Sequence, residues 1–249
     1  RDSESGRWAL DLSGLEKAFA AQAGAYLICS PHNPVGRIWS ESELQKIAEL
    51  AERYGVVVVA DEIHAPLTLP GAKFVPFLSV GGPKQMAVSV TSASKAWNIA
   101  GLKCAVVVAG SEAVEKSLRD HFATLETEIR DRIGQLGVVG TLAAYRDRTD
   151  WLENLLTHLD NNRLLLKKLL DEHIPNARYF PPEATYLGWI DCSALGTGND
   201  PAARFLERGR VALARGLDFG KQGASYVRLN FGTSAGILTE IVERMARSL

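Results

Sequence analysis

Lys95 closes the segment Thr91-Ser92-Ala93-Ser94-Lys95, which directly follows the apolar run Met86 to Val90. A lysine so placed offers a primary amine that can condense with an aldehyde. Eight residues on, Lys103 opens a second apolar run, so a strand, turn, strand path returns a second cation beside the hydroxyls of Ser92 and Ser94. Hydroxyls and a cation together make a seat for phosphate. Alone, a lysine at a strand end reads as a solvated loop charge and a serine-rich turn is common, so other parts of the chain must agree.

Two further strand ends carry polar residues of a matching kind. After Ala25 to Cys29 comes Ser30-Pro31-His32-Asn33-Pro34-Val35-Gly36, a stiff turn that leaves Asn33 as its amide. Val56 to Ala60 is followed by Asp61-Glu62-Ile63-His64, a carboxylate at the mouth of a buried strand. By themselves, Asn-Pro is a turn signal and the acidic pair a helix cap. In open α/β sheets, however, ligands sit at the carboxyl ends of the strands, and three such ends occur in succession. An amine, a carboxylate, an amide and a phosphate seat match pyridoxal 5'-phosphate, whose aldehyde and phosphate lie on opposite sides of one small ring. Asp61 beside the ring nitrogen would keep it protonated, and Lys95 would be a base tethered at the substrate's Cα. Late in the chain, alternation in Tyr226-Val227-Arg228-Leu229-Asn230-Phe231 turns Val227, Leu229 and Phe231 toward a core. Arg228 is thereby left on the other face for a bidentate grip on a carboxylate; the plain alternative is a surface charge on a half-exposed strand.

The elements that must position these residues are legible as periods. Leu15 to Ala23 reads as a short helix and Ala25 to Cys29 as a buried strand. Glu41 to Tyr54 is an amphipathic helix opened by a Ser40/Glu43 capping box. Val56–Ala60, Met86–Val90 and Cys104–Ala109 are near-continuous apolar runs of the kind found in strands covered on both faces. The short link between the last two points to one antiparallel neighbour. Glu112 to about Tyr145 is helical, and Asp150 to His173 is a long helix connecting two domains. Thereafter the texture changes to Tyr186–Ile190, a helix opened by Asp200-Pro201, Val211–Ala214, Tyr226–Phe231 and a last helix from Leu238. The expected fold class is α/β, a three-layer sandwich with a mostly parallel sheet over residues 1–150, plus a smaller α+β domain over 151–249.

Composition narrows the partners. The 249 residues are 46% hydrophobic and carry 28 basic against 29 acidic groups without blocks of like charge. Neither nucleic acid nor an anionic membrane surface has an electrostatic footprint here. Cys29, Cys104 and Cys192 lack metal or redox spacing and read as reduced core residues, so no metal site is expected. No apolar stretch approaches the roughly 20 residues that span a bilayer, and Arg1 to Arg7 lacks the apolar segment of a signal peptide; a cytoplasmic setting is expected.

Asn33-Pro-x-Gly36, Asp61-Glu62, Ser92-x-x-Lys95 with a cation eight residues on, and Arg228-Leu-x-Phe-Gly232 together resemble the fold-type I, pyridoxal-phosphate-dependent aminotransferase family of classes I and II, over nearly the whole chain. The resemblance implies Lys95 as the cofactor-linked lysine and Asp61 as partner of the pyridine nitrogen. It further implies Asn33 at the ring 3'-oxygen, Ser92, Ser94 and Lys103 at the phosphate, Arg228 at the substrate carboxylate, and a homodimer. Many members carry a tyrosine three residues after the aspartate; this chain has His64. Asp-Glu-Ile-His with Ser-Lys-x-x-Asn-x-x-Gly-Leu resembles the cystathionine β-lyase-like C-S lyases, which expel a thiol from Cβ and leave pyruvate and ammonia. His64 would then orient a cofactor oxygen or assist proton traffic, or simply pack beneath the cofactor. An aminotransferase is the close alternative, and a non-catalytic regulatory module of the same fold a third. Against the family pattern the chain begins part-way through the large domain. A glycine-rich phosphate turn and a ring-stacking aromatic have no counterpart before Arg1, so weakened cofactor binding and exposed sheet edges are expected.

Overall fold

The computed structural model describes residues 7–82, 85–130 and 134–249. The expectations for Arg1 to Gly6, and for 131–133 within the helical run, lie outside these residues. The chain divides into two compact units, one made of Arg1–Pro31, Ile38–Thr68 and Lys73–Leu152, the other of His32–Arg37, Leu69–Ala72 and Glu153–Leu249. No change of texture marks the two short segments. They join the second unit through backbone bonds, Glu183 N to Gly36 O at 2.8 Å and Leu69 N to Glu183 O at 3.0 Å.

In the first unit, α1 (Leu12–Ala20) opens where the Asp11 carboxylate accepts the Gly14 N–H, and β1 (Ala25–Cys29) follows. The expected capping box starts α2 (Glu41–Tyr54), which stops at Gly55 in the left-handed region, φ 68°. Strands β2 (Val57–Asp61), β3 (Ala87–Thr91) and β4 (Val106–Ala109) complete a sheet of order β1-β2-β3-β4. The first three are parallel, and β4 is the antiparallel neighbour that its short link required. Leu44 and Ile47 of α2 pack with Phe19, Ile28, Val58 and Ala60 into one core. Burial alternates along β2, so Val58 and Ala60 face that core while Val57, Val59 and Asp61 face away. The expectation of strands covered on both faces fails at β4, where Val106, Val107 and Val108 are 40–45% exposed. An apolar run reports only that a strand can be buried; the cover comes from elsewhere. Helices α3 (Glu112–Ala123), α4 (Thr127–Arg130) and α5 (Gln135–Tyr145) close the unit.

The second unit begins within α6 (Trp151–His173). Strands β5 (Arg178–Tyr179) and β6 (Leu187–Asp191) precede α7 (Pro201–Gly209), which Asp200 caps and Pro201 opens. Strands β7 (Ala214–Arg215) and β8 (Tyr226–Asn230) and helix α8 (Ala235–Arg247) follow, in an antiparallel sheet of order β5-β6-β8-β7. The strand expected over Val211–Ala214 is only Ala214–Arg215. Val211 instead completes the end of α7: Arg210 takes φ 55°, and the Val211 N–H donates to Phe205 O at 3.1 Å. The whole is an α/β fold with a largely parallel sheet, followed by an α+β unit.

Candidate functional site

In the first unit the register sets the chemistry at one edge of the sheet. Cys29, Asp61 and Val90 are paired across the three parallel strands, and Thr91 is paired with Val106 of β4. The segment carrying Ser92, Ser94 and Lys95 therefore leaves the sheet, and the one carrying Lys103 re-enters it, at the edge where Asp61 ends β2. Asp61 and Glu62 part company there. Glu62 turns into the core, 6% exposed, and accepts the Phe77 N–H at 2.7 Å and the Ser89 hydroxyl at 2.5 Å. Burial pushes its carboxyl above the usual range, and those two donors pull it part of the way back. Asp61 faces the other side: one carboxylate oxygen accepts the Ile63 N–H at 3.2 Å, and the second has no partner among the described residues. His64, 4% exposed, starts a short 3-10 turn, Ala65–Leu67, by accepting the Leu67 N–H on its carbonyl.

The turn after β3 is tied down from three sides. The Ser92 hydroxyl donates to Cys104 O at 2.6 Å and accepts the Ser94 N–H at 3.1 Å. It thereby pins the outgoing strand to the return that bears Lys103. The Trp151 indole N–H donates to Ala96 O at 3.1 Å, and Trp97 meets Tyr145 edge-on at 5.6 Å. Ser92 spends its one proton on a carbonyl, which differs from the direct phosphate donor that the sequence suggests. The hydroxyl of Ser94 and the amines of Lys95 and Lys103 have no hydrogen-bond or ion-pair partner among the described residues. Lys95 is half-buried; Lys103 is exposed, in the left-handed region at φ 51°.

In the second unit, the turn His32–Arg37 presents Asn33. Gly36 closes it at φ 68°, its N–H donating to His32 O at 2.6 Å, and a Cβ there would lie 2.2 Å from Pro182 Cβ. Only glycine satisfies both the angle and the approach. Arg228 lies on β8 with Val227 and Leu229 buried behind it, as alternation requires. Its Nη1 donates to Asn33 Oδ1 at 2.8 Å, and its guanidinium carbon lies 4.8 Å from the centre of the Phe219 ring. No carboxylate pairs with Arg228 among the described residues. Burial lowers its pKa, opposed by the Tyr186 hydroxyl, whose own pKa burial raises. A half-buried cation left without an anion is poised to take one. Tyr186 and Phe219 were not singled out in the sequence: Tyr186 stands at the head of a strand signal, and Phe219 in a turn with no period to read.

Each unit, taken by itself, offers groups of the kind that bind parts of a phosphorylated pyridine aldehyde. Arg228 fixes the Asn33 amide by its oxygen, which leaves that amide's N–H donors for an acceptor. Asp61 keeps one carboxylate oxygen unspent, Lys95 its amine, and Ser94 and Lys103 their donors. No cluster of three or more His, Cys, Asp or Glu able to hold a metal occurs among the described residues, and no helix there is long and apolar enough to cross a membrane.

Known proteins resemble the chain over most of its length. The family model described as aminotransferase class I and II matches residues 2–245. The chain is 45% identical to a Mycobacterium tuberculosis protein named "putative cystathionine beta-lyase", over 96% of this chain and 64% of that one. It is 33% identical to the cystathionine beta-lyase PatB of Bacillus subtilis, over 99% and 64%. Among solved structures, a PLP-bound putative aminotransferase from Clostridium difficile 630 superposes with a TM-score of 0.91 at 30% identity, covering all of this chain and 64% of that one. The chain thus spans 64% of the length of these relatives.

Proposed function

The chain belongs to the aminotransferase class I and II family, and from that premise we propose that it carries the lysine and the recognition residues of a pyridoxal-phosphate-dependent C-S β-lyase acting on amino acids. The observation that carries the reading is the half-buried Lys95, its amine unpartnered among the described residues, at the sheet edge where Asp61 keeps a carboxylate oxygen free. The bound cofactor supplies an electron sink for the substrate's Cα. Every other task falls to side chains of this chain.

Asp61 holds a proton on the ring nitrogen, because an adjacent carboxylate favours the cationic ring. Asn33 donates to the ring oxygen. Ser94 and Lys103 contact the phosphate, while Ser92 shapes their turn by binding the Cys104 carbonyl. His64 packs at the same strand end as Asp61 and orients the cofactor. Arg228 takes the substrate carboxylate on the N–H groups that Asn33 leaves free. Lys95 would be the residue that holds the cofactor's aldehyde, and its free amine would serve as the base for the substrate's Cα proton, a role that general bases fill for a gain of about 10²- to 10⁴-fold. In the lyase direction the electron pair expels a thiol from Cβ, and one water is consumed to give pyruvate and ammonia.

The lyase reading draws on the similarity to proteins named cystathionine beta-lyase, at 33–45% identity, and on His64 after the aspartate. Transamination is the second reading, favoured by the similarity to a PLP-bound aminotransferase. It would use the same residues, with Lys95 moving the same proton. We propose further that the protein acts in the cytoplasm as a homodimer, with nucleic acid and membranes outside its partners, as the charge balance supports.

The test uses the full-length protein with pyridoxal 5'-phosphate. Borohydride reduction followed by peptide mapping is expected to label Lys95, and Lys95→Ala to lose the label; label on another lysine would overturn the assignment. With cystathionine, pyruvate and ammonia are expected. Glutamate from an amino acid plus 2-oxoglutarate, without pyruvate, would replace the lyase by the aminotransferase.

A further inference from the structure

We infer that Phe219 is a positioning residue for carboxylate recognition: its ring holds the Arg228 guanidinium in one plane without spending any of the N–H groups that meet the substrate. The inference rests on the proposed role of Arg228, and every residue it uses lies in the second unit.

Arg228 stands on the inner strand β8, paired with Trp189 of β6 on one side and Ala214 of β7 on the other. A single hydrogen bond, Nη1 to Asn33 Oδ1 at 2.8 Å, fixes one corner of the guanidinium and leaves the plane free to swing about it. A second contact is needed to stop the swing. The cation also needs compensation, since burial disfavours its charge. An acidic neighbour would supply both, but would occupy the donors that a substrate carboxylate requires and repel that carboxylate as well. An aromatic face avoids both costs, because it attracts the cation through its quadrupole from a direction in which guanidinium has no N–H. The Phe219 ring does this at 4.8 Å from the guanidinium carbon.

Phe219 is itself held. Its ring meets Trp189 edge-on at 5.5 Å and 82°, and Trp189 stacks on Tyr226 at 5.0 Å and 11°. The short turn that carries it, Gly216–Phe219, is clamped by a backbone approach so close that a Cβ on Gly216 would lie 2.0 Å from Gly223 O. Gly220 then reverses the chain at φ 110°. At 37% exposure Phe219 is not a core-filling residue; its anchored neighbours hold it in the one place where its face meets Arg228.

The experiment measures binding rather than turnover, on full-length holoenzyme. Cofactor absorbance would be titrated with 2-aminoisobutyrate, which has no Cα proton to lose, and with isopropylamine, the same amine with both methyls kept and hydrogen in place of the carboxylate. Phe219→Leu, with Phe219→Met as a second ring-free variant, is expected to weaken 2-aminoisobutyrate by about 3- to 30-fold. Isopropylamine should be unaffected, and Phe219→Tyr should bind both as the wild type does. Arg228→Leu should abolish the preference for the carboxylated ligand. A preference that survives both ring-free variants yet is lost in Arg228→Leu would overturn the inference alone, as would equal weakening of both ligands. A wild type indifferent to the carboxylate, or a preference intact in Arg228→Leu, would overturn the reading of Arg228 and the inference with it.

Discussion

Glu62 carries a carboxylate into the core of the first unit, where it meets two hydrogen-bond donors, Phe77 N–H and the Ser89 hydroxyl. Its pKa lies above the ordinary 4.5 because desolvation outweighs those donors. Over the interval between the unfolded and the folded value, the folded chain keeps a proton that the unfolded chain has lost. This contribution to stability is therefore full below about pH 4.5 and declines as pH rises through the folded value. Glu62→Gln keeps an acceptor for Phe77 and a partner for Ser89 but cannot ionise. Urea unfolding midpoints of that variant should lose the decline above about pH 4.5 that the parent shows. Glu62→Ala should cost about 2 to 4 kcal/mol by orphaning both donors. The sequence offers no hint of this division of labour. Asp61 and Glu62 are neighbours in one motif, and only the pleat assigns one to an open face and the other to partners 15 and 27 residues away. Arg228 is legible for the opposite reason: Val227, Leu229 and Phe231 are its near neighbours, and their alternation gives its direction.

Elements position these residues through close approaches that a hydrophobic pattern cannot encode. Helix α5 turns Gly137, Thr141 and Ala144 inward. At Gly137 a Cβ would lie 2.6 Å from Leu102 O, the carbonyl immediately before Lys103. The helix thus braces the return of the turn that bears Lys103 by contact with its backbone. Gly137→Ala forces one of the two to move, at about 1 to 3 kcal/mol. The expected outcome is weaker pyridoxal 5'-phosphate binding by fluorescence titration of the full-length protein, with helix content by circular dichroism unchanged. Unchanged affinity would show that the turn holds its shape without α5. By contrast, α2 is readable residue by residue, since a capping box and an apolar stripe are local signals. Ser40→Ala should cost about 1 kcal/mol, seen as a lower unfolding midpoint. The reach of α5 and the tie from Ser92 to Cys104, 12 residues apart, depend on tertiary placement. The sequence shows which residues are small or hydroxylated, not what they will touch.

At the scale of the molecule, both units leave apolar side chains exposed, Leu206 and Ile237 of the second at 54% and 52%, but several of those in the first fall on the outer strands of a sheet and on one helix. The second unit sets Val227, Leu229, Phe231, Leu238 and Val242 at 1% exposure or less. The first leaves Val106, Val107 and Val108 of β4 at 40–45% exposure, Leu27 of β1 at 69%, and Leu136 and Val139 of α5 at 75% and 55%. Strands β1 and β4 are also the two outer strands of their sheet, so apolar side chains and strand edges are presented together. Such surface drives association, because covering it removes apolar area from water and pairs an open ladder. The 249-residue chain alone should therefore run above its 27.1 kDa mass in light scattering at micromolar concentration, and it should bind a hydrophobic dye. Val107→Lys with Leu136→Lys should lower both signals, since a lysine on an edge strand or an exposed helix face blocks stacking at little cost to the fold. Equivalent lysines at Glu207 and Glu243, on helices of the second unit, should leave the signals as they are. A chain that scatters as a monomer and ignores the dye would mean that these valines and leucines are too dispersed to act as one surface, and would remove association as the consequence of the uncovered face.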